Sequence, residues 1–238
     1  MTLNISSWPE DIFILIPSYK SAAPLKDHLS ILLRNVPKKN VCVFDDGSSD
    51  GTDSVCKELG VDYIAHAQNM GKGASLIDGF RYVLDKYKPE WIITMDADGQ
   101  HAIEDLPAFL EYAAHASTPG MCIGVRSRSI KDMPIFRILS NALTSWTLSL
   151  LCGRRIPDSQ CGYRIYSAML LKNVSCTYAH FEMESEIILK AARNNFPIGH
   201  VKIHTLYLNN KSHIAHIKDT LRWTKSVILV WLKSRKNY

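Results

Sequence analysis

No Cys-x-x-Cys pair occurs among the six cysteines (Cys42, Cys56, Cys122, Cys152, Cys161 and Cys176). That absence argues against a zinc site and a disulfide framework. Cys42 and Cys122 sit in apolar runs, where a reduced cysteine acts as a small hydrophobe, so a reducing compartment is expected. The amino-terminal stretch has no basic-then-apolar signal pattern. The longest unbroken aliphatic or aromatic run, residues 227–232, is far short of a membrane span. A cytoplasmic protein, soluble or held peripherally at the cytoplasmic face of a membrane, is expected. Glycine and proline are sparse, 12 and 10 of 238 residues, and only 21% of the chain is charged, which excludes a disordered class. Internal repeats and low-complexity linkers are missing, as expected for one domain with a tail.

What is present is a large apolar fraction, 46%, enough for one sizeable core. The net charge of +5 is unevenly placed. Seven of the 28 basic residues but only one of the 23 acidic ones lie in residues 211–238. The body, residues 1–210, is therefore close to neutral, which argues against nucleic-acid binding, and the basic tail suits anionic lipid.

Apolar runs at residues 11–17, 41–44, 61–65 and 91–95 read as strands. They alternate with helical patterns at 23–35, 53–59 (stopped by Gly60), from the 69–75 turn to 87, and at 103–115. Further on, strands are expected at 121–125, at the end of the polar loop 158–166, and at 199–208. Helices are expected at 138–152 and 182–194. Strands alternating with helices of this length predict a parallel, right-handed βαβ sheet in the α/β class.

Two of these strands end in acids. Trp91-Ile-Ile-Thr-Met95 runs into Asp96-Ala-Asp98-Gly-Gln100-His101, and Val41-Cys-Val-Phe44 runs into Asp45-Asp46-Gly47-Ser-Ser-Asp50-Gly51-Thr-Asp53. In an open α/β sheet, ligands bind beyond the carboxyl ends of the strands. On an extended backbone Asp96 and Asp98 point the same way. Two hard oxygen donors suit Mg²⁺ or Mn²⁺, and Gln100 continues the alternation with a neutral oxygen. A polar turn closing a strand is the plainer reading of Asp-Gly. Uncompensated carboxylates at one sheet edge repel each other, which favours a cation or ligand hydroxyls. A phosphoacceptor pocket also has strand-end acids, but its fold is about half this length.

Ile16-Pro-Ser-Tyr19, Asp45-Asp-Gly-Ser-Ser-Asp-Gly-Thr52, Asn69-Met-Gly-Lys-Gly73, Met95-Asp-Ala-Asp-Gly-Gln-His101 and Asp158-Ser-Gln-Cys-Gly-Tyr-Arg164 occur in order. Together they resemble the family-2 glycosyltransferases of the GT-A fold, especially the dolichyl-phosphate mannose synthase-like branch, over residues 11–208. The resemblance implies a Rossmann-like, mostly parallel nucleotide-sugar-binding sheet flanked by helices. It implies that Pro17, Tyr19, Asp45 and Asp46 face the nucleotide of a UDP- or GDP-sugar, with Lys72 and Gly73 lining the donor pocket. Asp96, Asp98 and Gln100 would hold the metal at the diphosphate, Asp98 taking a direct part in catalysis. Lys20-Ser21 stands where relatives commonly have Asn-Glu, so one nucleotide contact is altered. Gly47 and Gly51 read as turn glycines.

Sugar transfer from a nucleotide donor leaves negative charge on the departing phosphate, which a divalent ion offsets. Attack from the opposite face inverts the anomeric carbon. A hydroxyl acceptor needs a base, whereas a phosphate acceptor is already an anion and needs cations. Arg126 and Arg137 match positions where the branch carries acceptor-phosphate arginines, and arginine suits bidentate phosphate binding. Arg128 and Lys131 read more simply as surface charges. Asp158 is the candidate base or acceptor-positioning group, with a loop hydrogen bond as the plainer reading, and Gln160 and Arg164 stand second. Glu182 and Glu186 share a helix face, Glu184 points elsewhere, and Glu182 matches a Phe-Glu of the branch.

Lys211 and His213 would close over the donor diphosphate, as a mobile carboxy-terminal loop does in many enzymes of this fold. Residues 214–236, projected as a helix, put Ile214, Ile217, Leu221, Ile228, Trp231 and Leu232 in one arc and five basic residues in the next. That pattern fits a helix lying on a membrane surface, or one packed on the domain or a partner. The helix at 139–151, with Trp146, is either a second lipid-facing element or a core helix. The expected activity is inverting, metal-dependent transfer of a sugar to a polyprenyl phosphate or other membrane lipid. The alternatives are the same chemistry on a soluble or saccharide hydroxyl, and an inactive nucleotide-sugar-binding module. A nucleotidyltransferase would want a glycine-rich, basic loop after the first strand, which Pro17-Ser-Tyr-Lys20 is not.

Overall fold

The computed structural model describes residues 7–126 and 135–204, together with Val227 and Trp231. Seven strands, β1 (Ile12–Ser18), β2 (Val41–Asp45), β3 (Asp62–Ala65), β4 (Trp91–Thr94), β5 (Met121–Arg126), β6 (Arg164–Ser167) and β7 (Ile198–Ile203), form one sheet. Their spatial order is β3-β2-β1-β4-β6-β5-β7. Every residue of β1, β2, β4 and β6 is buried, as expected for strands covered on both faces. The covering helices are α1 (Ala22–Leu32), α2 (Thr52–Leu59), α3 (Lys72–Tyr87), α4 (Leu106–His115), α5 (Ile135–Cys152), α6 (Ala168–Asn173) and α7 (Met183–Arg193). α3 lies against β1 and β2, α1 packs on α2, and α5 packs on α7.

The parallel expectation holds for every strand but one. β6 runs antiparallel to both β4 and β5, with Arg164 beside Thr94 and Ile123. The loop before β6 reaches the edge where the parallel strands end, so a strand leaving that edge must run backwards. Pro17 does not end β1; the strand continues to Ser18, whose partner is Asp45. Residues 168–173, where no helix is expected, form α6, started by Ser167 Oγ accepting a hydrogen bond from the Leu170 amide at 3.2 Å. β4 stops at Thr94, so Asp96 and Asp98 lie in the turn after it and not on an extended segment.

The tail falls outside the described residues except at two points. Val227 is buried in the hydrophobic core. Arg193 Nη2 donates to the Trp231 carbonyl at 2.8 Å. The helix reading of 214–236 and its membrane face otherwise lie outside the described residues.

Candidate active site

The turn after β4 holds Asp96 and Asp98 by contacts specific to each. The Asp96 amide donates to His101 Nδ1 at 3.0 Å, and the His101 ring stacks on Tyr163. Asp98 Oδ1 accepts from the Gln100 amide at 3.0 Å, which closes the turn at Gly99. Burial works against the Asp96 anion, but Lys72, His101 and Arg126 outweigh it and hold its pKa well below the usual carboxylate range. Burial raises the Asp98 pKa, and the charge of Asp96 raises it further. The two carboxylates therefore feel each other, as expected from the sequence, although a turn and not strand alternation brings them together.

Lys72 stands at the first position of α3. Its Nζ lies 2.7 Å from Asp96 Oδ1 and 3.3 Å from Glu184 Oε1. Burial disfavours the ammonium, but Asp96 and Glu184 together raise its pKa. Glu184, and not the expected Glu182, is thus the second anion on Lys72. Glu186 instead accepts from the Thr177 and Tyr178 amides and pairs with Lys190 at 2.7 Å, a structural role. Glu182 is buried at the start of α7. A Cβ on Gly162 would sit 2.7 Å from Asp96 Oδ2 and 3.0 Å from Lys72 Nζ, so a side chain here would push on the ion pair.

The acids after β2 divide their work. Asp45 is buried and accepts from the Tyr63 hydroxyl at 3.0 Å and the Ser48 amide at 3.1 Å. Asp46 accepts from the Met70 and Gly71 amides at 2.8 and 2.7 Å and pairs with His66 Nδ1 at 2.8 Å. Its carboxylate pins the loop that delivers Lys72, and that geometry accounts for the residue without a nucleotide. Asp50 accepts from the Ala22 amide at 2.9 Å and the Thr52 hydroxyl at 2.6 Å, joining the starts of α1 and α2. Pro17 is buried inside β1, whereas Tyr19 is exposed with Lys20 Nζ 5.3 Å from its ring centre. Gly73 packs against the backbone of residues 178–180; a Cβ there would meet the His180 carbonyl at 2.4 Å.

On the other side of Asp96, Arg126 ends β5 and meets Asp158 in a two-pronged contact, Nε to Oδ2 at 2.8 Å and Nη2 to Oδ1 at 2.9 Å. Asp158 is buried. Arg164 is fully buried and donates to the carbonyls of Cys161, Ser159 and Glu184 at 2.6, 2.8 and 2.8 Å. It braces the 158–163 loop and is not placed to meet a substrate. Gln160 is exposed beside Asp158. The side chain of Arg137, and Arg128, Lys131, Lys211 and His213, lie outside the described residues.

The donor set of the turn fits a divalent cation. Asp96 and Asp98 are hard oxygen donors whose mutual repulsion a cation would relieve. Among the described residues no group of three or more His, Cys, Asp or Glu side chains is arranged to hold a metal. The remaining ligands would then be oxygens of a bound substrate and the Gln100 side chain, the usual pattern for Mg²⁺ on phosphates. Three residues of this centre were not given roles from the sequence: Glu184, Gly162 and His101. The last two sit inside quoted motifs, and only the folded contacts reveal what they do.

The model of the glycosyl transferase family 2 matches residues 13–175. The UDP-N-acetylglucosamine–dolichyl-phosphate N-acetylglucosaminyltransferase of Methanococcus voltae is 30% identical over 218 residues, covering 82% of this chain and 86% of that protein. The undecaprenyl-phosphate mannosyltransferase of Micrococcus luteus is 31% identical over 172 residues, covering 68% and 69%. Among solved structures, glucosyl-3-phosphoglycerate synthase from Mycobacterium tuberculosis in complex with Mn²⁺ and UDP-glucose superposes with a TM-score of 0.68 at 15% identity, covering 97% of this chain and 85% of that one. The fold is accordingly GT-A. The chain belongs to glycosyl transferase family 2, in its dolichyl-phosphate mannose synthase-like branch, and is a nucleotide-sugar-dependent glycosyltransferase.

Proposed function

We propose that the chain moves a sugar, with inversion, from a nucleotide-sugar to the phosphate of a polyprenyl or other membrane lipid, with a divalent cation at Asp96 and Asp98. The observation that carries the acceptor reading is the Arg126–Asp158 pair. Both oxygens of Asp158 are engaged by one guanidinium, and a carboxylate so held is a weak base. A hydroxyl acceptor would need that base, whereas a phosphate does not. The guanidinium has five N–H donors and gives two to Asp158, leaving others for an acceptor phosphate. Asp158 then positions Arg126.

On the donor side, Asp45 and Tyr19 would face the nucleotide. Lys72 sits beside Asp96, where it can hold the diphosphate and steady the charge that develops as the sugar–phosphate bond breaks. When bound, Mg²⁺ or Mn²⁺ would take up part of that charge as a Lewis acid. The relatives that name a polyprenyl or dolichyl phosphate acceptor support the lipid assignment, and the Mn²⁺-bound structure supports the cation. Residues 1–210 are the transferase domain. Residues 211–238 are a basic tail that would help hold the enzyme at the cytoplasmic face, with Lys211 and His213 as candidates to close over the donor.

The test is a donor-by-acceptor screen of pooled UDP-, GDP- and dTDP-sugars, with and without polyprenyl phosphate, in Mg²⁺ and in Mn²⁺. Metal-dependent transfer to the lipid phosphate is expected. Transfer confined to soluble acceptors would overturn the lipid reading, and full activity in Asp98→Ala would overturn the metal assignment.

A further inference from the structure

The loop that delivers Lys72 to Asp96 is held from two sides. On one side the Ala74 amide donates to the Ala179 carbonyl at 2.9 Å. Gly71, at φ +103°, lies so close there that a Cβ would collide with the His180 ring. On the other side Asp46 accepts from the Met70 and Gly71 amides. The Asp46 side chain is only 3% exposed. A carboxylate taken out of water needs its donors fixed if it is to keep its aim. His66, which lies outside the motifs that carry the family resemblance, is such a donor. Its Nδ1 is 2.8 Å from Asp46 Oδ1, and its Nε2 is 3.2 Å from Asp78 Oδ2. Asp78 stands further along the helix that Lys72 begins and also pairs with Arg81 at 2.8 Å. The His66 amide donates to the Asp45 carbonyl at 2.9 Å, and the ring meets Phe44 edge-on with ring centres 4.7 Å apart. One imidazole thus ties the loop before Lys72, and the helix after it, to the end of β3.

We propose that His66 is a positioning residue for sugar transfer, which acts through Asp46 to set where Lys72 meets Asp96. It is not assigned a contact with donor or acceptor. The inference rests on the reading of Lys72 as the cation at the leaving diphosphate, and it adds the group that aims that cation. The plainer role for the ring is to fill space beside Phe44. The two roles make opposite predictions. Asparagine puts an amide nitrogen where the imidazole holds Nδ1, so His66→Asn keeps a donor for Asp46 and loses the ring. His66→Phe keeps a ring and loses the donor.

The test joins steady-state kinetics to backbone amide exchange on the full chain, with a thermal melt for each variant. Rates are measured with polyprenyl phosphate and the pooled UDP-, GDP- and dTDP-sugars, and KM with the member of the pool that transfers. His66→Phe is expected to lower kcat roughly tenfold, with the donor KM within about twofold of the wild type, because a misplaced charge at the reacting centre is costly. His66→Asn should stay within about threefold of the wild-type rate, although it fills the space less well. Added to Lys72→Met, His66→Phe should cost less than about twofold more, since both changes remove the same interaction. Exchange of the Met70 and Gly71 amides should quicken at least about tenfold in His66→Phe and far less in His66→Asn. His66→Leu, which also lacks the donor, takes the place of His66→Phe if that variant does not fold. A faster rate for His66→Phe than for His66→Asn overturns the inference, as does full additivity with Lys72→Met. Wild-type transfer by Lys72→Met, with exchange responding as stated, overturns the reading of Lys72 and upholds the anchoring by His66. Slow transfer by Lys72→Met, with His66→Phe unchanged in rate and exchange, does the reverse.

Discussion

Arg126 and Asp158, 32 residues apart in sequence, are joined by two parallel hydrogen bonds at 2.8 and 2.9 Å at the edge where β5 ends. Removing the arginine alone leaves a buried carboxylate without that partner. Arg126→Ala is expected to lower stability by about 3 kcal/mol or more. Arg126→Met/Asp158→Leu should recover most of that loss in urea unfolding and remain inactive. Transfer by the double variant at wild-type rate would show that the pair serves only the fold.

Lys72 competes with any cation for Asp96. Lys72→Met is expected to tighten binding of Mn²⁺ alone by several-fold, roughly up to tenfold, because the carboxylate loses its internal partner. The same substitution should lower kcat by at least about tenfold, since the cation beside the leaving diphosphate is gone. Mn²⁺ titration by electron paramagnetic resonance reads the first effect and steady-state kinetics the second. Weaker Mn²⁺ binding would contradict the competition.

Gly162→Ala puts a methyl group against the ion pair, 2.7 Å from Asp96 Oδ2. The ends of the Asp96 and Lys72 side chains must shift, which is expected to lengthen their contact. A drop in kcat/KM of about tenfold is expected, with a loss of stability of about 1 kcal/mol, the ordinary size for a single substitution. Crystallography of the variant would show the longer contact; a wild-type rate would show that the site tolerates it.

Stability should depend on pH through His101. Burial lowers its pKa from 6.5 to about 4, with Asp96 opposing the shift. The folded-state pKa is below the unfolded one, so the unfolded chain binds the extra proton between those values. The contribution is complete above about pH 6.5, falls as pH drops, and stops falling near about pH 4. Its full size is on the order of 3 kcal/mol. His28, also lowered by burial, adds to the same slope. Urea unfolding at about pH 7.5 and about pH 5 should show a smaller difference for His101→Gln than for the wild type.

The motifs at 45–52, 95–101 and 158–164, and the strand–helix alternation, were legible because they are local. Apolar runs report burial, and acids at strand ends report an edge where ligands bind. The family followed from those residues in order, and the fold does bring Lys72, Asp96, Asp98, Arg126 and Asp158 close together. Other features needed the tertiary structure. The reversed direction of β6 depends on which edge its loop reaches, which periodicity does not encode. The Lys72–Glu184 contact spans 112 residues, and the acid that pairs with Lys72 is set by how α7 packs, not by the spacing of three glutamates. Tertiary contacts also decided that Asp46 and Arg164 brace loops and that the apolar stripe of α5 faces outward. A sequence gives the period of a helix, but which of its faces meets the core depends on the elements around it.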